Sequence, residues 1–255
     1  MTAIDFSAVP SGVTVNEERI QYLSDRATET ATAFSRKIEK LQAQVANARD
    51  AYSREAQDFV RGTPVEDRAT ILAASRRSAA NKAANMYRQL LASSAEERAA
   101  MLTGLKTYAD EAAALSSLYA SPVSMLGRIA LGDPKRTQYQ LQLEGAGPVE
   151  LETTARAAIM TNDLVLAAAI VTVVDRRPKE RRPFSVAALA ERMLGDVWGR
   201  MHAKLEGVQL AYRSAAEANR EFERAKASPL SKIALALSRQ AIAEAAGDDD
   251  EEAVA

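Results

Sequence analysis

The sequence predicts an all-α protein, an elongated, coiled-coil-like helical bundle built on two long helices at about 17–61 and 186–226. Shorter helices and a small inserted β-hairpin at about 137–152 complete the expectation. Two apolar stripes and an alanine-rich composition carry this prediction. The first stripe is Ile20, Leu23, Ala27, Ala31, Phe34, Ile38, Leu41, Val45, Ala48, Tyr52, Ala56 and Phe59. Its steps average about 3.5 residues, the period that keeps a seam facing a partner helix over many turns. At about 1.5 Å per residue such a helix is roughly 60 Å long and cannot bury its stripe alone. The second stripe, Val186, Ala190, Met193, Val197, Met201, Leu205, Val208, Tyr212, Ala215, Asn219 and Phe222, repeats the spacing. Apolar residues make up 47% of the 255, yet aromatics make up only 5%. Much of the remainder is alanine, the best helix former.

Residues 1–14 read as an irregular lead-in. Asn16 is a good N-cap for the first helix, with Glu17 and Glu18 favourably placed in its first turn. Gly62 ends it, and Thr63-Pro64-Val65-Glu66 reads as a capping box opening a second helix to about Ala92. Val65, Ala69, Leu72, Ala79, Ala83, Met86 and Leu90 form its stripe. A further capping box, Ser94-Ala95-Glu96-Glu97, opens a helix through Leu102, Leu105, Ala109, Ala112 and Leu118. Ser121-Pro122 starts a short helix that stops at Gly132-Asp133-Pro134, which closes a helical region spanning 15–132.

The period then changes to two. Tyr139, Leu141 and Leu143 alternate with polar neighbours, Gly145-Ala146-Gly147-Pro148 is turn chemistry, and Val149-Glu150-Leu151-Glu152 alternates again. This predicts a hairpin insertion at 133–153. Thr153 or Thr154 is then the expected cap of a helix carrying the apolar run Leu164–Val174 and ending near Arg176. That run is too short to span a bilayer, which takes about 20 apolar residues, so no transmembrane segment is expected. Ser185 caps the second long helix, and Ser228-Pro229 opens a last one that closes at Gly247. Helical structure is thus expected over 154–246. The tail 247–255, with Asp248, Asp249, Asp250, Glu251 and Glu252, is expected to be disordered. Ala120–Gly127 and Ala227–Ala234 share a Ser-Pro step into a short amphipathic segment, which an ancient duplication or convergent use of the same punctuation explains equally well.

Chemistry is sparse. His202 is the one histidine and has no ligand-spaced partner, so neither a metal site nor a Ser-His-Asp triad is expected. No phosphate-cradling glycine loop appears, and no cysteine exists for disulfides, thiolate ligands or nucleophiles. The net charge of −1 offers no global field for nucleic acid. No cofactor and no enzymatic activity are expected. Two segments carry the candidate interactions. The loop after the apolar run holds Arg176, Arg177, Lys179, Arg181 and Arg182, stiffened by Pro178 within it and Pro183 at its end, and suits an acidic protein surface, phosphates or a plain solvated connection. The last helix lines Leu230, Ile233 and Leu237, with Ala241, on one face for packing on a helical partner. The expected function is non-catalytic structure or assembly through long helical surfaces, by protein partners or self-association. The alternative is nucleic-acid association through 176–182. Chains of this style are common among bacteriophage virion and scaffolding proteins and bacterial adaptors, so a cytoplasmic or virion setting is expected.

Overall fold

The computed structural model describes residues 16–61, 64 and 68–224. All regular structure among them is helical: α1 (Glu17–Arg61), α2 (Arg68–Ser93), α3 (Ala95–Leu118), α4 (Pro122–Arg128), α5 (Pro134–Leu143), α6 (Pro148–Thr161), α7 (Leu164–Asp175) and α8 (Val186–Glu223). A single 3-10 turn, Lys179–Arg181, lies between α7 and α8. The chain divides into two units. One takes in the chain up to Ser24 together with Glu111–Glu206, the other Asp25–Asp110 together with the chain from Gly207 onward. The helices α1, α3 and α8 each contribute to both.

The first unit is organised around α7. Ala167, Ala168, Ala169, Ile170, Val171, Val173 and Val174 are all buried, so this helix is apolar on every side and is wrapped by α4, α5 and α6. Such a helix has no solvent face and must sit at the centre of a core. Asp163 starts it: the carboxylate accepts from the Leu166 amide at 2.9 Å and pairs with the Lys135 ammonium at 3.5 Å. Asn162, at φ +51°, ends α6 in the left-handed region that asparagine tolerates. The single helix expected from Thr153 or Thr154 to near Arg176 is therefore two helices, with the whole apolar run in the second. Thr153 and Thr154 lie inside α6, where their hydroxyls donate to the Val149 and Glu150 carbonyls.

The expected β-hairpin at 137–152 is absent; those residues form α5, a turn and the start of α6. Asp133 caps α5 through the Lys135 amide at 2.8 Å, and Pro134 sits at its first position. Pro148 plays the same part in α6. The alternation of Tyr139, Leu141 and Leu143 was misleading because only part of it is buried. Within α5, Arg136 and Leu143 are buried while Leu141 is 68% exposed, a spacing of seven that belongs to a helix. Proline at a first helical position and an acidic cap outweigh a short period-two pattern.

The second unit contains most of α1, all of α2, most of α3 and the end of α8. Asn16 caps α1 as expected, accepting from the Arg19 amide at 2.8 Å. The α1 stripe is buried at Ile20, Leu23, Ala27, Phe34, Ile38 and Leu41, then only half-buried at Val45, Ala48 and Tyr52. At the end the buried pair is Ala56 and Val60, and Phe59 is 69% exposed. The expected box at Thr63–Glu66 falls largely outside the described residues; Pro64 is non-helical and α2 begins at Arg68. Ser94 is not the acceptor expected of a cap. Its hydroxyl donates back to the Leu90 carbonyl at 2.6 Å, so α2 and α3 follow each other with one residue between them. Ser121 does form its box, with Ser124, and Ser185 caps α8 through the Ala188 amide.

Burial by itself would raise the Asp163 pKa, but the Leu166 amide and the Lys135 ammonium outweigh it and hold the carboxyl below its ordinary value. The folded state thus binds this proton more weakly than the unfolded chain. The stabilisation is present above the unfolded pKa and is lost as pH falls through about 4 and below. Replacement Asp163→Asn keeps a capping acceptor and removes the titrating group. Urea midpoints between pH 5 and pH 3 should therefore fall less for the variant than for the parent chain. An equal fall in both would assign the acid sensitivity elsewhere.

Candidate interaction surfaces

The basic loop follows α7 and is anchored to its own unit by two of its five cations. Arg182 donates to the Asp175 carbonyl at 2.7 Å and the Arg177 carbonyl at 3.0 Å, and pairs with the Asp175 carboxylate at 3.0 Å. Arg177 donates to the Ala146 carbonyl at 2.7 Å. Arg176, Lys179 and Arg181 are exposed. With Thr137, Gln140 and Glu144, Arg176 and Arg177 border a cleft of about 210 Å³. The loop is thus a clasp over α7 whose two inner arginines satisfy backbone carbonyls. The other sequence candidates, Leu230, Ile233 and Leu237, lie outside the described residues.

Two further arginines are buried, and neither was singled out by sequence reasoning. Arg136 donates to the Ile129 carbonyl at 2.6 Å, the Gly127 carbonyl at 2.9 Å and the Thr172 hydroxyl at 2.9 Å. Burial lowers its pKa. The guanidinium closes the C-terminus of α4, where orphan carbonyls and the helix dipole both favour a cation. Arg98 does the same for two helix ends at once. It donates to the Leu91 carbonyl at 3.1 Å, the Ser94 hydroxyl at 3.1 Å, Asn219, and the Glu223 carboxylate at 3.1 Å. Its guanidinium also lies 5.2 Å from the centre of the Phe222 ring. The Tyr87 hydroxyl, 2.5 Å from the Phe222 carbonyl oxygen and 2.9 Å from that of Glu223, completes the knot that ends α8.

Beside this knot runs an apolar groove of about 650 Å³. Val45, Ala46 and Ala56 of α1 form one wall, Ala79, Ala80, Ala83 and Ala84 of α2 the other, and Tyr87 and Phe222 stand at its head. The helices run antiparallel here, because Lys82 pairs with Glu55 at 2.7 Å while Ser75 and Ala79 border Phe59. The groove exists because alanine walls are shallow and no described helix lies over them. The only sequence signal was the run of alanines at helical spacing in α2.

His202 is half-buried, its ring 4.8 Å from that of Trp198 and its Nδ1 3.5 Å from Glu206. Trp198 in turn donates to the Tyr119 carbonyl at 2.7 Å at the end of α3. Among the described residues no cluster of His, Cys, Asp or Glu is placed to hold a metal ion, and no helix is long and apolar enough to cross a membrane. No family model, curated protein or solved structure matches the chain.

Removing the Arg136 guanidinium takes away the donors of two carbonyls and one of the two hydrogen bonds of the Thr172 hydroxyl in the core of the first unit. Arg136→Leu should cost about 2–4 kcal/mol in urea unfolding. The control Lys106→Ala removes a fully surface-placed pair with Asp110 and should cost about 0.5 kcal/mol or less. Similar losses for the two variants would mean Arg136 holds nothing together.

Proposed function

We propose that this chain is a non-catalytic structural or assembly protein that acts through its helical faces. The observation that supports this best is the outer ridge of α6. Val149 is 77% and Met160 87% exposed, and eleven residues are about three helical turns, so both lie on one face. That helix already buries Leu151, Ala155 and Ala158 inward, so it carries apolar side chains on two opposite sides. One side builds the core, and the other is suited to a second molecule. The lengths of α1 and α8, 45 and 38 residues, supply the extended surfaces such a role uses. A bacteriophage virion, a scaffolding component or a bacterial adaptor are the settings that fit this style of chain.

Nucleic-acid association through 176–182 is the weaker alternative. Arg177 and Arg182 point their donors at carbonyls of the first unit, which leaves a narrow face of Arg176, Lys179 and Arg181 for phosphates.

Sedimentation velocity over a concentration series tests the reading. The chain should sediment as species larger than 27.5 kDa with increasing concentration. A charge pair on the ridge, Val149→Glu with Met160→Glu, should weaken that association at least about tenfold, which corresponds to about 1.4 kcal/mol. A chain that stays monomeric throughout, or a variant that associates equally well, would overturn the proposal.

A further inference from the structure

The groove of the second unit needs an occupant, and we infer that it is this chain's own C-terminal segment, with Leu230, Ile233, Leu237 and Ala241 seated between α1 and α2. Four observations converge on that segment. The first is where α8 ends. The knot of Arg98, Tyr87, Asn219 and Glu223 fixes the helix terminus, and Glu221 and Phe222 themselves line the groove. The chain therefore leaves Arg224 at the head of the trough it is inferred to fill. The second is length. From Gln42 to Ala56 the α1 wall extends about 21 Å, and the sequence stripe Leu230 to Ala241, if wound as a helix, would extend about 17 Å, at about 1.5 Å per residue.

The third observation is the match of shapes. Alanine walls admit a close approach by large side chains, and the stripe supplies two leucines and an isoleucine at steps of three and four. The Ser228-Pro229 step interrupts helix propagation just after α8 and allows the new segment its own direction. The fourth is charge. Arg49 and Arg76 flank the groove with one carboxylate, Glu221, and the stripe is followed by Asp248, Asp249, Asp250, Glu251 and Glu252. Salt screens such pairs, so the carboxylates bias the direction of seating more than its strength.

Covalent attachment makes this seating favourable. A short linker holds the segment at an effective concentration on the order of millimolar, far above a free copy at micromolar protein. The inference is independent of the α6 ridge, which lies in the other unit. A chain that fails to associate through Val149 and Met160 leaves it intact.

The absence of native cysteine makes the test direct. Two pairs are introduced separately into the full chain, Ala83→Cys with Ile233→Cys and Ala79→Cys with Leu237→Cys. A third pair, Ala99→Cys with Leu237→Cys, places one thiol on an exposed position of α3 as control. A short bis-maleimide at low micromolar protein, followed by intact mass and peptide mapping, reads the product. The inference expects intrachain cross-links in at least one groove pair, at a yield at least about tenfold above the control. Interchain dimers as the main product would give the groove to a second copy and overturn it. Cross-linking no higher than the control in both groove pairs would also overturn it. Circular dichroism of each variant before labelling, unchanged from the parent, shows that the fold is retained.

Discussion

The structure depends on one constraint: a long helix must have its apolar stripe covered along its whole length, and alanine covers very little. Each large buried side chain contributes about 1.5–3 kcal/mol by leaving water, whereas alanine contributes much less. Up to Leu41, α1 meets this demand with Ile20, Leu23, Phe34 and Ile38 fully inside. Past Leu41 its neighbours thin to the alanines of α2, and Val45, Ala48 and Tyr52 are left half-covered. The groove is the direct result of this change in side-chain size along a pair of otherwise regular helices.

The two units solve the covering problem differently. In the first, α7 is buried along its length from Ala167 to Val174, except for the half-buried Thr172, and is enclosed by three short helices whose ends are held by polar groups. Asp163, Arg136 and Arg177 each satisfy backbone groups that a run of short helices would otherwise leave unpaired. In the second, long helices have few ends, and the polar effort concentrates at one point where α2, α3 and α8 meet around Arg98. Removing water from that guanidinium is tolerable only because every direction offers an acceptor.

The helical class, the two long helices and several caps were legible in the sequence. The stripe of α1 as far as Leu41, Asn16, Ser121 and Ser185 behave as their spacing implies. The region 137–152 was misread because Tyr139, Leu141 and Leu143 alternate over too few residues to distinguish two periods, and Asp133-Pro134 and Pro148 held the decisive information. Ser94 departs from its expected role because its buried hydroxyl donates to the Leu90 carbonyl of α2 and accepts from the Arg98 guanidinium rather than from a backbone amide of α3. Buried arginines are invisible to pattern reasoning, since their partners are carbonyls of distant residues. The groove was hidden for a related reason: alanines at helical spacing look the same whether a third helix covers them or not.

The most direct measurement of whether the alanine face is covered is the rate of maleimide labelling at Ala80→Cys in the full chain, set against Ala99→Cys. Both positions are exposed among the described residues, and Ala80 lies in the groove wall. Labelling at Ala80→Cys should be slower by at least about tenfold, the kinetic signature of a cover worth about 1.4 kcal/mol. Equal rates at the two thiols would show an open trough, and the claim that these helices require a further apolar element would be wrong.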